Sequence, residues 1–546
     1  MDYSAEIKKF FKGEVYSDEK TLDVASRDAS IFEVKPLLVV APLDAEDVGA
    51  LVRFAAERKK ANDNVSLTAR LAGTDMSGGP LSESIIVDFL PHFNRIKSVG
   101  ENLAVTEPGV YYRDFEKETL KQNLIMPSYP ASRDLCTVGG MVANNSGGEK
   151  TLVYGKTENY VRSVKMVCVD GNEYEFKPLS IRELEAIRQK PDFIGAIYQR
   201  MFELVFGNLD IIKAAKPHVS KNSAGYFLWN VYDKEKGTFD LTKLIVGSQG
   251  TLGFITEATL SLIRPKTHSS LLIVFLPTLR PLADIINHIL KFKPESFESF
   301  DDHTFKVALK LFPSIIKKLN GNMFKLLFQF LPEFWMVLTG GVPKLILIAE
   351  FTADSQAEAF RMAEQARESL LPYRLKTKIA KSDAEAKKYW TFRRESFNLL
   401  RQHLTNLRTA PFIDDFVVNP EFLPEFLPKL NKILFRYKIT YTVAGHVGDG
   451  NFHIIPLMDF HKPETVKIIK ELSDKVHELV VSFKGSITGE HNDGLIRTSY
   501  LPLMYSPEII RLFEETKKIF DPLNIFNPGK KVGADREYGW KHISKA

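Results

Sequence analysis

Apolar and polar positions in the first hundred residues fall into alternating blocks that predict a β–α–β opening. LLVVAP (37–42) reads as a strand, and DAEDVGALVRFAAERKKA (44–61) as a helix with acidic residues in its first turn. VSLTAR (65–70) and SIIVDF (84–89) return as apolar strands around the glycine-rich stretch LAGTDMSGGP. Further strands are predicted at VRSVKMVCVDG (161–171) and FITEATLSLI (254–263), each preceded by a loop rich in small residues. The first of these loops runs from Thr137 to Gly148 and is followed by Tyr154-Gly155-Lys156-Thr157; the second spans Gly247 to Gly253. From about residue 269 the glycines thin out, and LLIVFLP and LILIAEF alternate with the helical pattern SQAEAFRMAEQARESLL. The expected organisation is α+β, with a first domain over 1–268, a second over 269–485, and a segment over 486–546 that packs back on the first.

Chemistry concentrates near the C-terminal end. His446 and His453 flank the loop Val447-Gly448-Asp449-Gly450-Asn451, and the β-prone runs YTVAG and FHIIP lie on either side. That pattern predicts a hairpin with a glycine-rich turn, which brings two imidazoles to one edge where they can ligate a divalent ion. Glu490 of GSITGEHNDG is the leading third ligand. If the segment is extended, the adjacent His491 points to the other side and is left to move protons. Spacing alone is equally compatible with two unrelated hydrogen-bonding histidines, and with an ordinary turn at GEHNDG.

The three small-residue loops can each bring backbone N–H groups close to a phosphate, so together they suggest a large phosphorylated cofactor. No GxGxxG follows a strand, and Gly155-Lys156-Thr157 is not a P-loop because Lys150 stands where its first glycine belongs. The 546 residues are 44% hydrophobic and 26% charged with a net charge of +5, which fits a multidomain globular chain without the basic tract of a nucleic-acid binder. Cys136 and Cys168 are the only cysteines, too few for an iron–sulfur cluster or a disulfide framework. The N-terminus lacks a signal-peptide core and no stretch reaches the roughly 20 apolar residues of a spanning helix, so the expected location is cytoplasmic.

Taken in order, LTARLAGTDMSGG, PSYPASRDLCTVGGMVANNSGG, YGKT, VGSQGTLGFITEATL, GHVGDGNFH, GEHNDG and FDPLNIFNPGK resemble the FAD-linked 2-hydroxy-acid dehydrogenases, the D-lactate, glycolate and D-2-hydroxyglutarate type. The resemblance implies a vanillyl-alcohol-oxidase-type (PCMH-type) FAD domain, with an α+β cap domain. It implies that noncovalent FAD is contacted by Arg70, Gly73, Thr74, Ser77, Gly78, Gly79, Thr137, Gly139, Gly140, Asn144, Gly147, Gly148, Gly155, Gly250, Gly253, Ile255 and Asn527. It further implies a zinc- or manganese-like ion on His446, His453 and Glu490, with His491 as base.

The family's Trp-x-x-Arg pattern falls on Trp390 and Arg393, which makes Arg393 the expected carboxylate-binding cation; Arg394 is a weaker candidate, and Arg497 is expected near the base. The alternative for these arginines is a solvated helical face. The implied reaction takes a small D-2-hydroxy acid to its 2-oxo acid, with electrons passing to a quinone or an iron–sulfur protein; a flavin-bearing electron-transfer subunit is the alternative. Two positions depart from the pattern: Asn492 stands for the usual glycine, and Leu71 follows Arg70 where glycine is common. Residues 303–340 combine Phe and Leu with five lysines and resemble an interfacial amphipathic segment; a pair of helices covering the second sheet is the expected arrangement, and peripheral contact with the cytoplasmic membrane, where a quinone could accept electrons, is the alternative.

Overall fold

The β–α–β opening forms as the pattern predicts. In the computed structural model, which describes residues 3–302, 342–391, 393 and 407–545, strands Leu38–Ala41, Ile85–Asp88 and Leu67–Arg70 run parallel, with Ile85–Asp88 in the middle. Helix Ala45–Lys60 begins where Asp44 accepts the Asp47 amide and ends in Arg58, Lys59 and Lys60, so both ends complement its dipole. Its face of Val48, Leu51, Val52 and Ala55 is buried with Val40, Leu67 and Val87 in one core. The first glycine-rich loop leaves the carboxyl end of Leu67–Arg70, the edge of a parallel sheet at which ligands commonly bind.

A second sheet is antiparallel, in the order Ile96–Gly100, Leu103–Thr106, Phe254–Ser261, Val161–Val167, Glu173–Phe176. The loop Gly247–Gly253 feeds its central strand, and Thr137 caps helix Val138–Asn144 by accepting the Gly140 amide. The three small-residue loops therefore approach one another from two sheets and a helix start.

The remaining large sheet is also antiparallel and carries the hairpin. Its order is Lys376–Ile379, His268–Leu276, Leu345–Ala353, Ser296–Asp301, Thr440–His446, Asn451–Met458, Arg408–Thr409, with Phe416–Val417 also paired to Asn451–Met458. Helices Leu282–Leu290, Gln356–Ser369, Leu423–Phe435 and Glu464–Ser482 contribute their apolar faces to its core. The segment 303–340, Arg394 and Arg401 lie outside the described residues. Among the described residues no helix is long and apolar enough to cross a membrane. Cys136 and Cys168 are both buried and free.

The C-terminal segment returns to the first sheet. The Leu67 amide donates to Ile525 O at 2.7 Å and the Asn527 amide to Leu67 O at 2.8 Å, extending that sheet at its Leu67–Arg70 edge. Lys517 secures the junction: its buried ammonium donates to Asp521 at 2.5 Å, and to the carbonyls of Thr251 and Phe526 at 2.7 Å each. Removing one partner of a buried pair strands the other charge. Lys517→Ala should therefore lower unfolding free energy by about 3–5 kcal/mol, read from the guanidinium midpoint, while exposed Lys518→Ala changes it by about 0.5 kcal/mol or less.

Candidate active site

The two histidines meet because of hairpin register. Strands Thr440–His446 and Asn451–Met458 pair with His446 opposite Asn451 and Ala444 opposite His453, so His446 and His453 are diagonal neighbours on one face. Their ring centroids lie 5.2 Å apart with planes at 90°. The turn requires Gly450, whose φ is +67° and whose added Cβ would lie 1.8 Å from Val418 O. Ser299 pairs with Gly445 on the neighbouring strand, which sets Glu298 beside His446. Buried Glu298 accepts from His446 Nδ1 at 2.5 Å and faces Arg393 Nη2 at 3.0 Å, so the arginine expected to bind substrate also braces this carboxylate.

Glu490 and His491 reach the same place by a different backbone from the extended one expected. The chain curls around buried Asp415, which accepts the amides of Glu490 at 2.9 Å and His491 at 2.7 Å and the Thr488 hydroxyl at 2.7 Å. In a curled segment successive side chains no longer alternate sides, and both converge on the hairpin. Glu490 Oε1 lies 3.4 Å from His446 Nε2, and His491 stacks on His453 with centroids 5.2 Å apart. His446, His453 and Glu490 offer ligand atoms within 4.8 Å of one another. Asp414 with His453 and His491, and Asp415 with Glu490 and His491, form two further such groups.

Asp414 Oδ1 accepts from His453 Nδ1 at 3.0 Å, and its Oδ2 lies 2.9 Å from His491 Nδ1, a close approach whose angle leaves both of those atoms short of a full hydrogen bond. Buried acids outnumber fixed cations here, and His446 and His491 are both shifted towards holding a proton. Burial depresses His446, but Glu298 and Glu490 together outweigh it and bring it to about 9. Burial likewise depresses His491, and Asp415 and Asp414 bring it to about 9. Burial alone would raise Glu490, whereas Lys221 and His446 hold it well below the usual carboxylate range. Two nitrogen donors and a carboxylate in an acid-rich pocket fit a divalent cation, whose charge would replace those protons.

Lys221 was not foreseen from the sequence. Fully buried, it donates to Glu490 at 2.6 Å, lies 3.2 Å from Asp449, and reaches Gly148 O at 3.3 Å, joining the second small-residue loop to the acidic cluster. Asn492 occupies a left-handed conformation, φ +67°, as its replacement of a glycine suggests. Its amide donates to Gly247 O at 2.9 Å and Asn144 O at 3.2 Å, contacts a glycine would lack. Arg497 sits near the base as expected, fully buried, donating to Asn492 O and Asp414 O.

The three small-residue loops are tied together by polar side chains. Gln249 donates to Ser77 and Asn144 at 3.2 Å each, Asn144 donates to Asp75 at 2.9 Å, and Asn527 donates to Gly79 O and Gln249 O. Gly139, Gly147 and Gly148 press against Pro108, Thr151 and Tyr129, Gly155 ends helix Thr151–Tyr154, and Gly253 and Ile255 enter the central strand. Arg70 donates to the carbonyls of Val24, Ala25 and Arg27, so it pins the N-terminal segment and does not present a free cation to a phosphate. Leu71 is partly buried against the first core.

The backbone N–H groups of Gly73, Thr74, Asp75 and Met76 donate to no described protein acceptor. An added Cβ at Gly140 would crowd the Thr137 hydroxyl at 3.2 Å, and one at Gly250 would make only ordinary contact, 3.5 Å from Ala69. Unpaired amides in series fit a pyrophosphate.

Polar loops at a parallel sheet edge thus lie beside two histidines of a separate antiparallel sheet and a glutamate of the curled loop packed on it. The FAD binding domain matches residues 36–177, and the FAD linked oxidases C-terminal domain matches 265–531. The chain belongs to this FAD-linked oxidase family. It is 27% identical to a D-2-hydroxyglutarate dehydrogenase of Pseudomonas putida over 95% of its own length, and spans about half, 50%, of that relative. It is also 27% identical to a D-lactate dehydrogenase of Archaeoglobus fulgidus, covering 94% of each chain. The fold is of the vanillyl-alcohol-oxidase type: a 4-ethylphenol oxidase from Gulosibacter chungangensis superposes with a TM-score of 0.69 at 16% identity, over 97% of this chain and 96% of that one.

Glu298, Asp414, Asp415, Lys221 and Gln249 escaped the sequence reading. A faint signal existed for the acids, since SFESFD and PFIDDFVV place carboxylates within apolar runs, where burial demands a partner. Asp28 adds a testable consequence at the first loop, where its Oδ2 accepts the Gly78 amide. Burial, reinforced by Asp75, raises it to about 7, against Arg70; nearby Lys530 is lowered by burial to about 7. A carboxyl raised in the folded state retains its proton where the unfolded chain has lost it, so its contribution is full below about pH 4 and disappears as pH rises towards 7. The difference in melting temperature between Asp28→Asn and wild type should thus grow in the variant's favour from pH 4.5 to 7.5, by about 2–4 °C.

Proposed function

We propose that this protein oxidises a small D-2-hydroxy acid to the 2-oxo acid, using noncovalent FAD and one divalent metal ion of the zinc or manganese kind. The observation that carries the reading is the convergence of His446, His453 and Glu490 within ligand distance of one another, with His491 stacked against them. The names of the relatives, dehydrogenases of D-2-hydroxyglutarate and D-lactate, support the substrate class.

Bound FAD would supply a hydride acceptor, and the bound ion the Lewis acidity that eases loss of the substrate's hydroxyl proton. The chain's residues divide the remaining work. His446, His453 and Glu490 hold the ion, and Glu298 fixes the His446 ring through Nδ1, leaving Nε2 as donor. His491, with Nδ1 towards Asp414, has Nε2 for the hydroxyl proton while the C2 hydrogen leaves with its electron pair. Arg393, braced by Glu298, is assigned to the substrate carboxylate. Gly73 to Met76, Thr137 to Gly148, Gly250 and Asn527 frame the flavin. Reduced flavin would pass its electrons to a quinone or an iron–sulfur protein. Asn492, which stands for the family's usual glycine beside the base, is accommodated by its left-handed backbone and its own hydrogen bonds, which is consistent with retained substrate chemistry.

Anaerobic addition of D-lactate, D-2-hydroxyglutarate and glycolate to flavin-loaded protein should bleach the flavin absorbance with at least one of them. His491→Ala should keep flavin and metal yet reduce the bleaching rate by about 100-fold or more, the usual share of a general base. His446→Ala and Glu490→Ala should lose metal, measured by elemental analysis. Full bleaching rates in a metal-free, flavin-loaded preparation would overturn the mechanism.

A further inference from the structure

We propose that Asp414 is a shared positioning residue: one buried carboxylate that sets the tautomer of both the metal-ligating His453 and the base His491. This rests on the function proposed above and extends it to a residue outside the ligand and base set.

The argument is geometric. The Asp414 side chain is fully buried, and its two oxygens face different imidazoles, Oδ1 at 3.0 Å from His453 Nδ1 and Oδ2 at 2.9 Å from His491 Nδ1. An ionised carboxylate only accepts, so a neutral His453, bonded to Oδ1, carries its proton at Nδ1 and keeps the Nε2 lone pair. A neutral His491, whose Nδ1 faces Oδ2 just short of hydrogen-bond geometry, is biased the same way. That lone pair is what a metal ligand needs on His453 and what a proton acceptor needs on His491. One anion therefore prepares two different tasks, and the near-parallel stacking of the two rings at 28° is the posture that facing its two oxygens imposes. Asp414 is itself immobilised from behind, because its backbone carbonyl accepts from buried Arg497 at 2.8 Å. Neighbouring Asp415 is unavailable for this role, since its oxygens are occupied by the amides of Glu490 and His491, the Thr488 hydroxyl and the Asn451 amide.

Asp414→Asn tests this with nearly unchanged shape. An amide has one acceptor and one donor, so at least one imidazole must face an N–H and surrender its Nδ1 proton, which moves that ring's remaining proton to Nε2. Zinc affinity, measured by chelator competition, should weaken about 10–100-fold while flavin content and the melting profile stay near wild type. With zinc at saturation, kcat for flavin reduction should fall about 10-fold or more with KM within about twofold, because the wrong tautomer disables the base without altering substrate contacts. Asp414→Ala is the second variant and should weaken zinc binding at least as much.

Unchanged zinc affinity in both variants overturns the proposal. Complete loss of zinc from Asp414→Asn, equal to that of Glu490→Ala, overturns it as well, because it would make Asp414 a ligand. The zinc titration needs no substrate, so a wild-type protein that no 2-hydroxy acid bleaches sinks the activity reading while the titration still decides the role of Asp414.

Discussion

Asp415 is a fully buried carboxylate, and the cost of taking it out of water dictates much of what surrounds it. Its lone pairs are filled by the amides of Glu490 and His491, the Thr488 hydroxyl and the Asn451 side chain. Those donors come from two separate parts of the chain, the hairpin turn that separates His446 from His453 and the loop that precedes the last helices, which Lys221 also bridges through Asp449 and Glu490. Satisfying one anion therefore fixes the distance between the hairpin's imidazoles and the Glu490-His491 pair. The same bonds bend the loop so that two consecutive side chains face one cluster, which an extended segment could not do.

A second set of buried polar groups connects this cluster to the small-residue loops. Lys221 joins Gly148 O to Glu490, Asn492 joins Asn144 and Gly247, and Lys531 of the C-terminal tail reaches Asn492, Asp493 and Ser223 O. Each is a side chain with no solvent to fall back on, so displacing any one loop leaves several donors unpaired. The relative placement of two sheets, one bearing the phosphate-type loops and the other the hairpin, is thus held by short-range chemistry at the very point where substrate and cofactor would have to touch.

The parts that were legible in the sequence are those whose signal is local. The Asp44-capped helix, the strands around LAGTDMSGG and the glycine turn of the hairpin follow from periodicity and turn chemistry, and the left-handed Asn492 follows from its replacement of a glycine. Glu490 and His491 were identified correctly as neighbours of the hairpin, but for the wrong backbone reason, because the bend depends on Asp415 some 75 positions away. Glu298, Lys221 and Asp414 lie 148, 269 and 39 positions from the partners they serve, and no window of sequence reports such distances. The Arg70 contacts to the Val24, Ala25 and Arg27 carbonyls, 43 to 46 positions away, were equally invisible in any local window.

The histidines reveal what kind of occupant the pocket is balanced for. Glu298, Asp414, Asp415 and Glu490 are all buried, and Lys221, Arg393 and Arg497 supply fewer fixed positive charges than these acids present. Imidazole protons at His446 and His491 make up the difference, held there against desolvation by the facing acids. Protons held in this way are exchangeable, unlike a fourth lysine or arginine, so the excess of acid is compatible with an ion that arrives and displaces them. The same arrangement gives a reason for histidine over a permanently charged side chain at these positions: a protonated imidazole balances the acids, and on giving up that proton it could serve a bound cation as a neutral ligand or base.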